Sequence, residues 1–179
     1  MMNIYLQPLS AEDAEPILKM EQRNREFFSQ FAPDRDDQYY TLEGQISRMK
    51  KFEENREKDS GYSFGIYLHQ SKKLIGQIGF FKVERGPAQK AMIGYSLDQD
   101  HNGKGYMTEA VQLIVDFGFN ELNLHRIEAE VMPHNKGSIR ILEKSGFHKE
   151  GISKKNVMIN GNWEDHQVLA IINESYRAK

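Results

Sequence analysis

The chain has 179 residues, 28% charged and 39% apolar, and its 24 basic against 26 acidic side chains leave a net charge of −2. That length suits one domain over residues 1–179 with a sizeable core, and the even charge balance argues against a direct nucleic-acid partner bound through its backbone. Cysteine is absent, which excludes disulfides, thiolate metal sites and a cysteine nucleophile and is compatible with a reducing compartment. The first residues form no basic-then-apolar leader, and no apolar run approaches the roughly 20 residues of a membrane span. The expected setting is the cytoplasm, with no membrane partner.

Asn3 to Leu9 alternates Ile4 and Leu6 with polar neighbours and predicts a strand. Ser10 suits an N-cap, with Glu12 and Asp13 in the first turn of a helix that runs toward Phe27 and is broken by Phe27–Pro33. A second helix is predicted from Thr41 to about Lys58, where Leu42, Ile46, Met49 and Phe52 recur at helical spacing. Three strands follow at Tyr62–His69, Leu74–Val83 and Ala91–Leu97, joined by turns at Gln70-Ser71-Lys72-Lys73 and Gly86-Pro87. The period then changes to helical over Thr108–Leu122, with Val111, Ile114, Val115, Gly118 and Leu122 on one face. A strand at Arg126–Met132 and a helix from about Lys136 to Ser145, closed by Gly146, come next. Strands at Phe147–Val157 and Trp163–Ile172 flank the turn Asn160-Gly161-Asn162. The order β-α-α-β-β-β-α-β-α-β-β predicts an α/β (α+β) fold, a mixed sheet with helices on its faces and not a doubly wound parallel sheet.

Between the third of those middle strands and the helix that follows lies Asn102-Gly103-Lys104-Gly105-Tyr106-Met107-Thr108. Two glycines let backbone N–H groups approach an anion with no Cβ in the way. The helix N-terminus adds unpaired donors and a positive dipole end, and Lys104 adds a full charge. These are the components of a pyrophosphate cradle. Neither common phosphate motif fits: Gly105 is followed by Tyr106 and not lysine, and the third small residue of a dinucleotide fingerprint is replaced by Thr108. A glycine-rich turn that binds nothing is an equal reading of the loop alone.

A second motif follows one strand later, Asn135-x-x-Ser138 with Glu143-Lys144-x-Gly146-Phe147. With Ile93-Gly94-Tyr95, the glycine loop through Thr108-Glu109-Ala110, and Gly161-x-Trp163-x-Asp165, the whole chain resembles the GNAT superfamily of acetyl-CoA-dependent N-acetyltransferases. Within it, the chain is similar to the branch that acetylates the N-terminal alanine or serine of ribosomal proteins. The resemblance implies a mostly antiparallel sheet of about seven strands and a direct transfer from acetyl-CoA to an amine. It implies that the strand before the loop splays from its parallel neighbour, that backbone groups of Tyr95, Ser96 and Leu97 hold the pantetheine arm, and that Asn102 to Thr108 hold the pyrophosphate. Asn135 would bond the arm from the next strand end. Gly94, inside that strand, marks a bulge or a close approach. The usual Arg or Gln at the head of the loop is Asn102 here and a later small residue is Met107, so the grip rests on backbone.

Ser138 matches a serine placed near the leaving sulfur in the family, and a helix-start residue is an equal reading of it. The glutamate that often precedes the Ile-Gly-Tyr triplet is Met92, which removes a base there. An α-amine with its pKa near about 8 tolerates that better than a lysine near about 10.4. Phe28 and Phe31, in an aromatic stretch with Phe27, Tyr39 and Tyr40, would wall the acceptor site, and Met92, Trp163 and Asp165 would shape it. As a bare pattern the aromatic stretch equally reads as core, and Glu164 with Asp165 as a surface pair. The histidines, His166 among them, show no metal spacing and read singly as surface or structural residues. The partners implied are acetyl-CoA and either a protein N-terminus or a small amine such as a polyamine, an amino acid or an antibiotic. A non-catalytic acyl-CoA-binding module is the remaining alternative, and a homodimer is compatible with the sequence. An open, acidic cleft beside Met92 would fit a protein N-terminus, and a closed one a small molecule.

Overall fold

A computed structural model describes all 179 residues. Seven strands form one sheet in the order β1-β2-β3-β4-β5-β7-β6. They are β1 (Ile4–Pro8), β2 (Tyr62–Leu68), β3 (Leu74–Glu84), β4 (Lys90–Leu97), β5 (Arg126–Val131), β6 (His148–Ile159) and β7 (Asn162–Ile172). Every neighbouring pair is antiparallel except β4 with β5. The helices are α1 (Ala14–Arg23), α2 (Arg25–Ser29), α3 (Leu42–Glu57), α4 (Tyr106–Asn120) and α5 (Lys136–Lys144), with 3-10 turns at Ala11–Asp13, Asp37–Tyr40 and Gln99–His101. None of these helices is long and apolar enough to cross a membrane.

Two apolar cores lie on opposite faces of the sheet, the second under β1–β3 only. On one face Ala110, Val111 and Ile114 of α4 and Leu142 of α5 are buried with Ile66, Ile78, Phe80, Ile127 and Leu169 of the sheet. On the other, Ala14, Ile17 and Met20 of α1 and Met49 of α3 bury Tyr67 and Leu74. Burying side chains of this size stabilises by about 1.5–3 kcal/mol each, so the helices are held mainly by these faces. A cap fixes the start of α3, where Thr41 Oγ1 accepts from Gly44 N–H at 3.0 Å, and in the 3-10 turn that leads into α1 the Asp13 carboxylate accepts from Ser10 N–H at 2.9 Å.

The first helical stretch differs from the sequence expectation. The helix breaks at Asn24, and Phe27 and Phe28 lie inside α2. Asn24 is wholly buried. Its Nδ2 donates to Met20 O at 2.9 Å and to Asp98 Oδ1 at 3.3 Å, and its Oδ1 accepts from Gln99 N–H at 3.0 Å. A tertiary bond to the loop after β4 therefore decides where the helix turns. Gly94 lies in unbroken register with Gly79, and the irregularity in that ladder falls between Phe81 and Glu84. Of the two expectations for Gly94, close approach applies, because a Cβ there would stand 3.2 Å from the Phe81 ring.

Candidate active site

The parallel ladder between β4 and β5 joins only Lys90–Arg126, Ala91–Ile127 and Met92–Glu128. Beyond Met92 the strands diverge, so Ile93–Leu97 and Ala129–Val131 flank a slot through the sheet. The slot opens into a cleft of about 1530 Å³ reached from the α2 side and bounded by the β6–β7 hairpin. Strand alternation divides its lining. Register puts Gln77, Phe81, Met92, Ser96, Glu128, Glu130 and Val168 on the face of α1 and α3, while Ile93 joins the core beneath α4.

The loop after β4 is pinned before it reaches the glycines. The Asp98 side chain is buried and receives Arg23 from the end of α1, the Asn24 amide, and Asp100 N–H at 3.3 Å. Burial alone would raise the Asp98 carboxyl, but these donors hold it below its ordinary range. Gly103 and Gly105 then take φ of +76° and +81°, and Gly105 caps α4. A Cβ would meet nothing within 4 Å at either position, so the demand for glycine is conformational. No backbone N–H from Gly103 through Thr108 donates to an acceptor in the protein. The result is a curved row of free donors at the positive end of a fifteen-residue helix. Lys104 Nζ reaches back to Asp100 O at 3.2 Å. Asn102 and Met107 line the cleft behind this row, and Met107 is buried.

Across the slot, Asn135 Oδ1 caps α5 by accepting from Ser138 N–H at 3.3 Å. That frees the Ser138 side chain from capping, and its Oγ lies 2.6 Å from the Tyr95 hydroxyl. Burial pushes the Tyr95 hydroxyl up to about 12, with the Ser138 contact acting the other way, so Tyr95 stays protonated. Tyr95, Ser96, Leu97, Asn135 and Ser138 all line the cleft, as do Phe28, Phe31 and Met92. The Phe31 ring lies 5.6 Å from that of His134.

Trp163 and Asp165 are not brought there. Trp163 is 59% exposed, and Asp165 accepts from Lys154 Nζ at 3.1 Å and from Lys155 N–H at 2.9 Å. Those bonds close an irregularity of β6 between Ser153 and Val157. Glu109 is occupied as well, accepting from Asn3 N–H at 2.8 Å and Asn3 Nδ2 at 2.7 Å.

Sequence reasoning missed three groups that line the cleft. The first is the Tyr95 hydroxyl, since only the backbone there drew attention. The second is Glu130, one of whose oxygens accepts from Asn156 Nδ2 at 2.8 Å. The third is His166, only 5% exposed. Alternation along β5 and β7 carried the signal: choosing Asp165 over its neighbour chose the wrong parity. The cleft holds Glu21, Glu26, Asp34 and Glu130 against Arg23, Arg25, Arg35, Arg48 and Lys82, so it is open but not acidic.

Comparison with known proteins agrees with this geometry. The family model described as "Acetyltransferase (GNAT) domain" matches residues 3–148. A probable N-acetyltransferase, YjcK of Bacillus subtilis, is 58% identical over 170 residues, covering 95% of this chain and 94% of that protein. The ribosomal protein uS5-alanine N-acetyltransferase of Escherichia coli is 35% identical over 148 residues, 83% of this chain and 76% of that one. Among solved structures, the ribosomal-protein-S5-alanine acetyltransferase of Vibrio fischeri superposes with a TM-score of 0.94 at 32% identity, covering 99% of this chain and 97% of its own. RimJ of Mycobacterium smegmatis, solved in complex with CoA-disulfide, gives 0.91 at 26% identity, covering 98% and 85%. By sequence and by fold, the chain belongs to the GNAT acetyltransferase family and is an N-acetyltransferase.

Proposed function

We propose that the protein transfers an acetyl group from acetyl-CoA to the N-terminal α-amine of a protein, a ribosomal protein being the first candidate. The observation that carries the reading is the slot between β4 and β5, with free N–H donors at one end and an open cleft on the α1–α3 face. The donor row of Gly103–Thr108 fits a pyrophosphate, and the unpaired edge of β4 beyond Met92 fits an extended amide-bearing arm. Acetyl-CoA supplies the activated acetyl group. Backbone around Tyr95–Leu97 orients it and polarises its carbonyl, and the Ser138–Tyr95 hydroxyl pair delivers a proton to the departing sulfur. The open cleft admits a peptide end, and the relatives that act on uS5 support that class of acceptor.

Thiol release from acetyl-CoA, followed with peptides beginning in Ala or Ser and with free polyamines and amino acids, tests the reading. Release with the peptides is the expected result. Turnover confined to the free small amines overturns the acceptor class, and tight acetyl-CoA binding with no turnover on any amine overturns the enzymatic reading.

A further inference from the structure

We infer that His166 is the proton acceptor for the incoming amine. The inference rests on the acetyl-transfer reading above and assigns a group to its unfilled role. An α-amine is mostly ammonium at neutral pH and must shed a proton before its lone pair can attack. Met92, beside the slot, has no proton-accepting group. His166 lines the cleft. Its Nδ1 lies 3.1 Å from Glu164 O; because a carbonyl only accepts, Nδ1 carries a hydrogen, and in the neutral ring this leaves the lone pair on Nε2. No protein donor reaches Nε2. Nor is that atom sealed, since His101 Nδ1 is the one buried side-chain nitrogen or oxygen without a partner.

Parity supports the role. His166 and Val168 share a face of β7, and Val168 pairs with Glu130 on the acceptor face. Tyr95 and Ser138 meet on the α5 side of the sheet. Proton acceptance from nitrogen and proton delivery to sulfur are thus assigned to opposite sides of the slot. The register that aims His166 is set by the ladder of β7 with β5, while Asp165, on the opposite parity, bonds Lys154 and Lys155 of β6. The charged groups that share the cleft with it are Glu130 from β5 and Arg25 and Glu26 of α2, with Glu164 two residues before it on the same face of β7. Glu130, with one oxygen held by Asn156, attracts the ammonium.

In the step, His166 Nε2 takes one proton from the ammonium and passes it to water. The freed nitrogen lone pair forms the C–N bond while the carbonyl π pair moves to oxygen. That pair returns as the C–S bond breaks, and sulfur takes a proton from the Ser138–Tyr95 pair, which water replenishes. The remaining excess proton on nitrogen leaves through the same imidazole. The products are the acetylated amine, free thiol and one proton.

The test compares wild type, H166Q, H166A and E130Q on an acceptor amine, with acetyl-CoA affinity and thermal stability measured in parallel. Replacing a positioned base costs about 10²–10⁴-fold. The expected result for H166Q is a kcat/KM loss in that range at pH 7, with unchanged acetyl-CoA affinity. The loss should shrink as pH rises and the amine becomes neutral, and free imidazole should restore part of the H166A activity. Three results overturn the inference: H166Q within about threefold of wild type, a reduced rate with the wild-type pH profile, or E130Q alone removing the acid limb. If only small amines are acetylated, the protein-acceptor reading fails while the same comparison on those amines still decides His166. If no amine is acetylated, both fail.

Discussion

At the scale of single residues, the 2.6 Å contact between Tyr95 and Ser138 joins two weak acids whose protons are interchangeable along one hydrogen bond. If they act as a unit on the leaving sulfur, Ser138→Ala and Tyr95→Phe should each lower kcat by about 10²–10⁴-fold, the range of positioned acid catalysis. The double variant should be scarcely worse than either single one, because groups acting together are non-additive. Acetyl-CoA affinity should stay within about twofold for S138A, whose backbone remains capped by Asn135. Additive losses, or a loss of affinity equal to the loss of rate, would return Ser138 to the helix start. Asp98 has a different role, since it is a buried carboxylate that pins the loop. Its folded-state pKa is depressed. It therefore adds stability that is fully present above the unfolded value near about 3.9 and is lost as pH falls through the lower folded value. Asp98→Asn should cost about 1–3 kcal/mol at pH 7. Urea titrations should show the gap to wild type closing below pH about 4, and a gap independent of pH would mean that Asp98 acts through shape alone.

Single contacts gain their use from the elements that carry them, and α4 is the clearest case. Its first turn and the glycines before it present unpaired N–H groups, and Gly105 enters the helix at φ +81°. A β-branched residue is strained there by roughly 1–3 kcal/mol and its branches would also block the donor row. Gly105→Val should weaken acetyl-CoA binding at least tenfold by calorimetry while far-ultraviolet circular dichroism stays native. Unchanged affinity would remove the loop from the site. Much of this was readable in sequence, because the periods of 3.6 and 2 and the Asn160-Gly161 turn depend on neighbours in the chain. Gly146 as the stop of α5 followed from local chemistry in the same way. What escaped depends on residues far apart in sequence. Asn24 looks like any polar helix residue until Asp98 arrives beside it. Which face of β7 meets the cleft is set by its pairing with β5, so the alternation of His166 against Trp163 and Asp165 gains its meaning only once the two strands are together.

At the scale of the whole molecule, the sheet consists of two antiparallel parts, β1–β4 and β5–β7, joined by the parallel pairs from Lys90–Arg126 to Met92–Glu128. The core beneath α4 and α5 binds the parts together, but past Met92 the edge of β4 facing β5 has no ladder partner. A ligand whose phosphates sit on α4 and whose arm lies along β4 would supply the missing contacts. At a free concentration near 100 times Kd it would stabilise the fold by about 2.7 kcal/mol. For a domain of this size that corresponds to a rise in Tm of roughly 5–11 °C. Hydrogen exchange distinguishes this arrangement from simple phosphate capture. Acetyl-CoA should protect both the Gly103–Thr108 amides and those of Ile93–Leu97 that face the slot, leaving edge strand β1 unchanged. Adenosine 3′,5′-bisphosphate, which has no arm, should leave the β4 amides exchanging as in the free protein. Equal protection of β4 by the armless nucleotide would mean that the two parts close through α4 alone, and that the slot is not where the acetyl group is carried.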